Sequence, residues 1–371
     1  MKLTIERAAL LRALSHVQSV VERRNTIPIL SNVLLKAENG HLALSATDMD
    51  LEIVARVAAQ GGRAGATTAP AHTLYDIVRK LREGSQVELE VAGDKGQMTL
   101  RSGRSTFSLA CLPPEDYPLM ASGELAHGFS LTSTELKRLI DRTRFAISTE
   151  ETRYYLNGIY LHASRSNEVP VLRAVATDGH RLARMELPLP EGGSGMPGVI
   201  VPRKTVNEVR KLLDADGSAD MEISISLSDT KIRFVMGETV LNSKLIDGTF
   251  PDYDRVIPSG NDKVLEIENK PFAEAVDRVS TISRAVKLSI ERGSLTLSAT
   301  SPENGTANEE LEIRYNSAPM EIGFNARYLL DITGQIEGEG ARFSLADAAS
   351  PAVVRDAADP SALYVLMPMR V

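Results

Sequence analysis

The sequence predicts an α+β fold assembled from repeated modules. Three observations carry that prediction: a short signature recurring at domain-sized intervals, apolar residues alternating with period two over much of the chain, and amphipathic helical stretches set between the alternating runs. The signature reads LALSAT at Leu42 to Thr47, LRAVAT at Leu172 to Thr177 and LTLSAT at Leu295 to Thr300, copies that lie 130 and then 123 residues apart. A second repeat, VRKL, occupies Val78 to Leu81 and again Val209 to Leu212. Asp-Tyr beside prolines closes successive rounds, in CLPPEDYP at Cys111 to Pro118 and in DGTFPDYDRVIP at Asp247 to Pro258, and the last round ends in YVLMPMRV.

Each round of roughly 125 residues divides into two similar halves, each a strand, a helix and then a run of strands, so six half-modules are expected. In the first, MKLTIE reads as a strand and Arg7 to Val21 as a helix. VLLKA, HLALSA and DLEIVARV follow as alternating strands, with Asn39-Gly40 as a hairpin turn. The second has TTAPA, a helix around Thr73 to Leu81, then VELEVA, QMTLRS and RSTFSLA. The third and fourth run from Gly128 to Pro190 and from Val199 to Pro258. EGGSGMPG, Glu191 to Gly198, lies between them and reads as a loop, since it lacks the strand, helix and Lys-Ser/Thr ending of a phosphate cradle. The fifth and sixth run from Val264 to Tyr315 and from Met320 to Met369, the sixth with its helical stretch interrupted at Gly334. Three similar domains result, 1–127, 128–258 and 259–371, with one helix per half-module against mostly antiparallel sheet.

Composition bounds the function. With 371 residues, 43% of them hydrophobic, the chain can bury several cores. Neither an apolar leader at MKLTIERAAL nor a run long enough for a membrane span is present, and a single cysteine, Cys111, leaves no internal disulfide. A cytoplasmic protein with no membrane role is expected. Six scattered histidines have no metal-ligand spacing, so neither metal nor cofactor is expected.

The net charge of -7 is unevenly placed. Six helical windows, 7–24, 71–82, 133–145, 202–213, 270–284 and 325–336, hold 19 Lys and Arg against 8 Asp and Glu. The remainder holds 23 against 41. Solvated helices commonly carry Lys and Arg, which is the ordinary explanation. Basic helices on an acidic body would equally attract duplex phosphates to one surface and repel them from the rest.

Catalytic chemistry is poorly supported. Asp48 and Asp50, two apart, could share a divalent cation, and with Asp178 they give the enzyme alternative, a metal-dependent phosphoesterase. The equivalent position in the third round is Ser301-Pro302-Glu303, which favours turns at strand ends. His180 beside Asp178 has no nucleophile marked by its spacing.

Several motifs carry a family likeness: TIPIL at Thr26 to Leu30, RSGRSTFSL at Arg101 to Leu109, RYYLNG at Arg153 to Gly158, ATDGHRLA at Ala176 to Ala183, VIVPRK at Val199 to Lys204, FPDY at Phe250 to Tyr253, MEIGFN at Met320 to Asn325 and MPMR at Met367 to Arg370. On these the whole chain resembles the bacterial DNA polymerase III beta subunits, the beta sliding clamps. The resemblance implies a DNA clamp fold, a head-to-tail homodimeric ring with helices lining the hole, no catalytic activity, and sequence-independent, topological binding of duplex DNA. It places Arg24, Arg79, Lys137, Arg138, Arg203 and Lys204 on or near the inner wall, and Tyr154 and Tyr155 on a loop that touches DNA. It puts Arg104, Phe107 and Leu109 on one edge of the dimer interface, facing Ile282 and the acids Glu303, Glu309 and Glu310 of the other copy.

The resemblance also implies a cleft for short peptides bearing Leu and Phe. These would come from the polymerase III alpha subunit, the clamp loader, other polymerases and repair proteins. The cleft is assigned to Leu156, Thr177, Gly179, His180, Arg181, Leu182, Pro251, Arg255, Val256, Leu366, Met367, Pro368, Met369 and Arg370. Apolar and Met side chains there would repack around different peptides while arginines anchor polar atoms. The chain departs from the family pattern at His72-Thr73, where a basic pair is expected, and at Glu150, where an uncharged polar residue is familiar. Ala349 and Pro351 stand where Val and Ser are expected, and the region from Ser280 to Val286 is short.

Overall fold

A computed structural model describes residues 1–93, 96–121, 123–215 and 220–370. Its elements fall into six copies of one module, a lead strand, a helix and a three-stranded meander. The first is β1 (Lys2–Glu6), α1 (Arg7–Gln18), β2 (Asn32–Glu38), β3 (His41–Thr47) and β4 (Leu51–Ala58). A short strand, β5 (Gln60–Arg63), precedes the second: β6 (Gly65–Pro70), α2 (Ala71–Lys80), β7 (Gln86–Glu90), β8 (Gln97–Ser102) and β9 (Ser105–Ala110). The third is β10 (His127–Thr132), α3 (Ser133–Asp141), β11 (Gly158–Ser166), β12 (Val169–Thr177) and β13 (Arg181–Pro188). The fourth is β14 (Val199–Pro202), α4 (Arg203–Ala215), β15 (Glu222–Leu227), β16 (Lys231–Met236) and β17 (Thr239–Lys244). The fifth is β18 (Lys263–Glu268), α5 (Asn269–Ser280), β19 (Ala285–Glu291), β20 (Ser294–Ser301) and β21 (Gly305–Glu312). After β22 (Arg314–Tyr315) the sixth follows: β23 (Met320–Asn325), α6 (Ala326–Thr333), β24 (Gly340–Leu345), β25 (Ala352–Asp356) and β26 (Ala362–Leu366).

The local signals act as the sequence suggests. Asn39 and Gly40 both take positive φ, 51° and 75°, which a two-residue primed hairpin turn requires. The Glu6 side chain accepts from Ala9 N at 2.8 Å to cap α1. Arg7 in turn donates to the carbonyls of Val78 and Arg79 at the end of α2. Asn325 caps α6 through Arg327 N at 3.0 Å, and Gly334 ends it. Boundaries shift modestly: α1 stops at Gln18 and Val20 and Val21 close it in a tighter turn, while α2 begins two residues early, directly after Pro70. The fully exposed QGGR of β5 has no alternation to read, so this strand escaped sequence inspection.

Pairing follows a rule that alternation alone does not disclose. Each lead strand adds not to its own meander but to that of its neighbouring module: β1 to β7, β6 to β2, β10 to β15, β14 to β11, β18 to β24 and β23 to β19. Two modules thereby exchange strands, and neither completes its sheet alone. The last strands of the meanders then join sets across the repeat, β17 to β4 and β13 to β26.

The chain packs as two compact units. The first comprises Met1–Thr134, Glu191–Met196 and Asn207–Leu245 and holds a five-stranded sheet, β5-β1-β7-β8-β9, and an eight-stranded sheet, β10-β15-β16-β17-β4-β3-β2-β6. Here α1 packs on β4 and β3 and against α2. The second comprises Glu135–Pro190, Pro197–Val206 and Ile246–Val371 and holds the nine-stranded sheet β14-β11-β12-β13-β26-β25-β24-β18-β22 and the four-stranded sheet β21-β20-β19-β23, with α5 packed against α6. No helix among the described residues is long and apolar enough to cross a membrane.

Candidate functional site

The residues assigned to the peptide cleft all belong to the second unit. Its centre is the turn between β12 and β13. Thr177 Oγ1 donates to Arg181 O at 2.6 Å and accepts from Gly179 N at 3.1 Å, and Asp178 Oδ1 accepts from His180 N and Arg181 N at 2.9 and 3.0 Å. Gly179 has φ +88°, a conformation most side chains strain to adopt although Met49 takes it in the equivalent turn, and an added Cβ would lie 2.6 Å from Arg153 Nη1 and push that guanidinium aside. The turn after β3 repeats this network atom for atom. Thr47 Oγ1 bonds Leu51 O and Met49 N, each at 2.9 Å, and Asp48 Oδ1 bonds Asp50 N and Leu51 N at 3.0 and 2.8 Å.

Arg181 is buried and held on every side. Its guanidinium donates to Asp178 Oδ2 at 3.1 Å, to Phe145 O at 2.7 Å and to Asp331, and lies 4.3 Å from the centre of the Tyr328 ring. His180 stacks on the other side of the turn against Tyr328, ring centres 6.4 Å apart. Met367 N donates to His180 O at 3.0 Å and Met369 N to Gly323 O at 2.8 Å, which ties the C-terminal segment to this wall. Leu156, Leu182 and Leu366 are buried, the first two in a cluster with Phe250 and Tyr253. Val256 and Met367 are 53% and 43% exposed, and Pro251, Arg255 and Arg370 are also exposed. An apolar floor thus meets an exposed rim of valine, methionine and arginine, the arrangement a peptide's apolar anchors need.

The loop before β11 abuts that turn. Arg153 is clamped by Glu150 through Nε at 2.8 Å and Nη2 at 2.6 Å, and its Nη2 also reaches Asp178 O at 3.1 Å. The hydrogen bond from Arg153 holds the Glu150 carboxyl below its usual range. Tyr154 is 53% exposed, whereas Tyr155 packs against the apolar cluster. Sequence reading singled out neither Arg153 nor Tyr328, Asp331 and Phe145. Arg153 does begin the RYYLNG motif, but the other three are brought in by folding alone.

The cations assigned to DNA differ in their surroundings. Arg24 and Arg203 are exposed. Arg79 is exposed too but pairs with Asp76 at 3.1 Å, and Arg138 is anchored to Asp359 at 2.7 Å, so part of that charge serves the protein's own contacts. Lys137 and Lys204 are half-buried. His72, one of the departures from the family pattern, joins Gln18 Oε1 at 3.0 Å and Val21 O at 2.9 Å and so fastens α2 to the end of α1.

Of the residues assigned to the dimer, Arg104 sits at the hairpin tip before β9, Phe107 is half-buried on β9 and Leu109 is buried beneath it. β9 is an edge strand of its sheet, and so is β21 of the other unit. Ile282 follows α5. Glu309 is bound by Arg278, and Glu310 accepts from Ser294 Oγ at 2.8 Å.

The phosphoesterase alternative finds no support. Asp48 and Asp178 spend Oδ1 on their turns, Asp50 pairs with Lys244 at 2.8 Å, and no group of three potential metal ligands occurs among the described residues.

Six strand-exchanging modules, sheets joined at β17–β4 and β13–β26, and an apolar floor rimmed by exposed valine, methionine and arginine define a clamp-class binding protein. Family models for the DNA polymerase III beta subunit match in succession, the N-terminal domain at residues 1–121, the central domain at 130–252 and the C-terminal domain at 254–370. The chain belongs to that family, a family of processivity factors and not of catalysts. The beta sliding clamp of Caulobacter vibrioides is 56% identical over 375 residues, and that of Escherichia coli K12 41% identical over 377, with all of both chains covered in each case. Among solved structures, the Bartonella birtlesii clamp bound to griselimycin superposes with a TM-score of 0.96 at 52% identity, covering 100% of both chains. A Caulobacter crescentus clamp with PEG bound to its putative beta-motif tethering region superposes with a TM-score of 0.97 at 57% identity, covering 100% of this chain and 99% of that one.

Proposed function

We propose that two copies of this chain close head to tail into a ring that encircles duplex DNA, binds it without regard to sequence, and tethers the replicative polymerase through the cleft of the second unit. One observation carries the closure: the two sheet joints within the chain use the same strand position in the same register. At one, Thr239 stands opposite Ala55 and Leu241 opposite Ile53; at the other, Ala362 stands opposite Met185 and Tyr364 opposite Ala183. The joints link module one to four and module three to six. The last strands of modules two and five, β9 and β21, are the two left at sheet edges. Paired between copies in the same register, they set Ser105 opposite Glu309, Phe107 opposite Ala307 and Leu109 opposite Gly305. Long open edges invite such pairing, and a head-to-tail contact closes when the rotation per copy divides the circle.

On this reading the three repeats, 1–127, 128–258 and 259–371, are the ring's domains. Arg24, Arg79, Lys137, Arg138, Arg203, Lys204, Tyr154 and Tyr155 face the duplex, and phosphate contacts suffice because topology supplies retention. Partner peptides, from the polymerase alpha subunit, the clamp loader and repair proteins, lay apolar anchors over Leu156, Leu182, Val256 and Leu366, beside Met367 and Met369. Thr177, Gly179, His180, Arg181, Pro251, Arg255, Pro368 and Arg370 frame the site. The relatives' names, and griselimycin bound to the Bartonella relative, support the assignment. The register is tested by placing Phe107→Cys and Ala307→Cys in a Cys111→Ser background and adding a short bis-maleimide, since opposed Cβ atoms lie about 5 Å apart. Covalent dimers are expected. A monomeric chain, or equal yield when Ala307→Cys is replaced by Gly293→Cys, would contradict the pairing.

A further inference from the structure

The apolar cluster beneath Phe250 and Tyr253 has a repeat-equivalent in the first unit, and it is built from opposite chemistry. By strand register, Val175, Leu182, Val353 and Val365 of the cluster correspond to Ser45, Glu52, Arg233 and Asn242. Tyr117, from the PPEDYP segment, takes the place of Tyr253, its hydroxyl donating to Ser45 O at 3.1 Å. Where the second unit sets apolar side chains, the first unit has a cavity of about 300 Å³ lined by Glu52, Lys231, Arg233 and Asn242 together with Leu119 and Leu125.

The polar wall is organised. Arg233 Nε donates to Asn242 Oδ1 at 2.8 Å, and Asn242 Nδ2 donates to Glu52 Oε2 at 3.1 Å. Glu52 is 5% exposed and its second oxygen has no partner among the described residues, although it lines the cavity. Lys231 and Arg233, two residues apart on β16 and so on one face, have no carboxylate partner among the described residues, Lys231 Nζ bonding only Ala121 O at 2.6 Å. Two cations against one carboxylate leave the pocket with excess positive charge, while the spare Glu52 oxygen can accept one N–H. Leu119, 66% exposed, adds an uncovered apolar contact.

We propose that this pocket is a second peptide-docking site, selective for an acidic segment. An Asp or Glu side chain meets Lys231 and Arg233, a peptide N–H donates to Glu52, and a neighbouring apolar side chain covers Leu119 and Leu125. The pocket's own residues supply these contacts whether or not the cleft of the second unit binds its peptides.

Methyl NMR on the full chain tests it, with acetyl-Leu-Glu-Leu-amide as probe and acetyl-Leu-Lys-Leu-amide and inorganic phosphate as comparisons. The glutamate peptide should shift the methyl signals of Leu119, Leu125 and Ile232 saturably. Arg233→Gln with Lys231→Gln should weaken that binding at least tenfold while the thermal midpoint stays within a few degrees of the parent. Signals of Val256 and Met367 report separately on the other cleft. Equal shifts with the lysine peptide, shifts with phosphate but not the glutamate peptide, shifts confined to Val256 and Met367, or undiminished binding by the folded double variant would each overturn the proposal.

Discussion

Arg181 shows at the level of one residue how the cleft is kept in shape. Its buried guanidinium satisfies two carboxylates and a carbonyl, so Arg181→Ala strands those acceptors and should cost about 3 kcal/mol, the magnitude for breaking a largely buried ion pair. Urea unfolding checks this, and an unchanged midpoint would mean the acids are satisfied without it. His162 gives a pH prediction. Burial pushes its pKa down, assisted by the Arg173 charge, and its Nε2 takes the Tyr253 hydroxyl at 2.9 Å. A folded pKa below the ordinary value of about 6.5 makes the neutral ring the stabilising form, so its contribution is complete above that pH and is lost as pH falls through the folded value. The loss of stability as pH falls below about 6.5 should therefore be shallower in His162→Gln than in the parent chain. Arg181 was legible in the sequence through its motif. Asp331, Tyr328 and Phe145 were not, because they arrive from segments 36 to 150 residues away and carry no local signature.

Among the elements, helices and meanders were readable because period and turn chemistry are local. Module exchange was not, since β1 could by alternation pair with either meander. β5 was missed because its glycines leave no pattern. The helix that begins Arg203-Lys204 follows β14 directly, and Arg203 is exposed at its first turn. If that turn faces duplex phosphates, Arg203→Glu with Lys204→Glu weakens retention on DNA without unfolding the chain. Each lost phosphate contact should lower the slope of log affinity against log salt by about 0.9. Filter binding across a salt series measures it, and an unchanged slope would remove these residues from the DNA-facing surface.

At the scale of the molecule, a net charge of -7 would repel duplex phosphates, and the segregation of basic residues into the helices is what would let one surface attract them. Repeat spacing gave six modules, yet closure depends on which strands remain at sheet edges, a property of the assembled sheets and not of any segment. Encirclement is the proposed means of retention on DNA. The direct measurement loads the protein onto a nicked circular plasmid with a clamp loader, then cuts the circle once at moderate salt and follows the bound protein by gel filtration. Retention on the circle and release from the linear product are predicted. Equal retention on both, or no retention on the circle, would contradict a topological link.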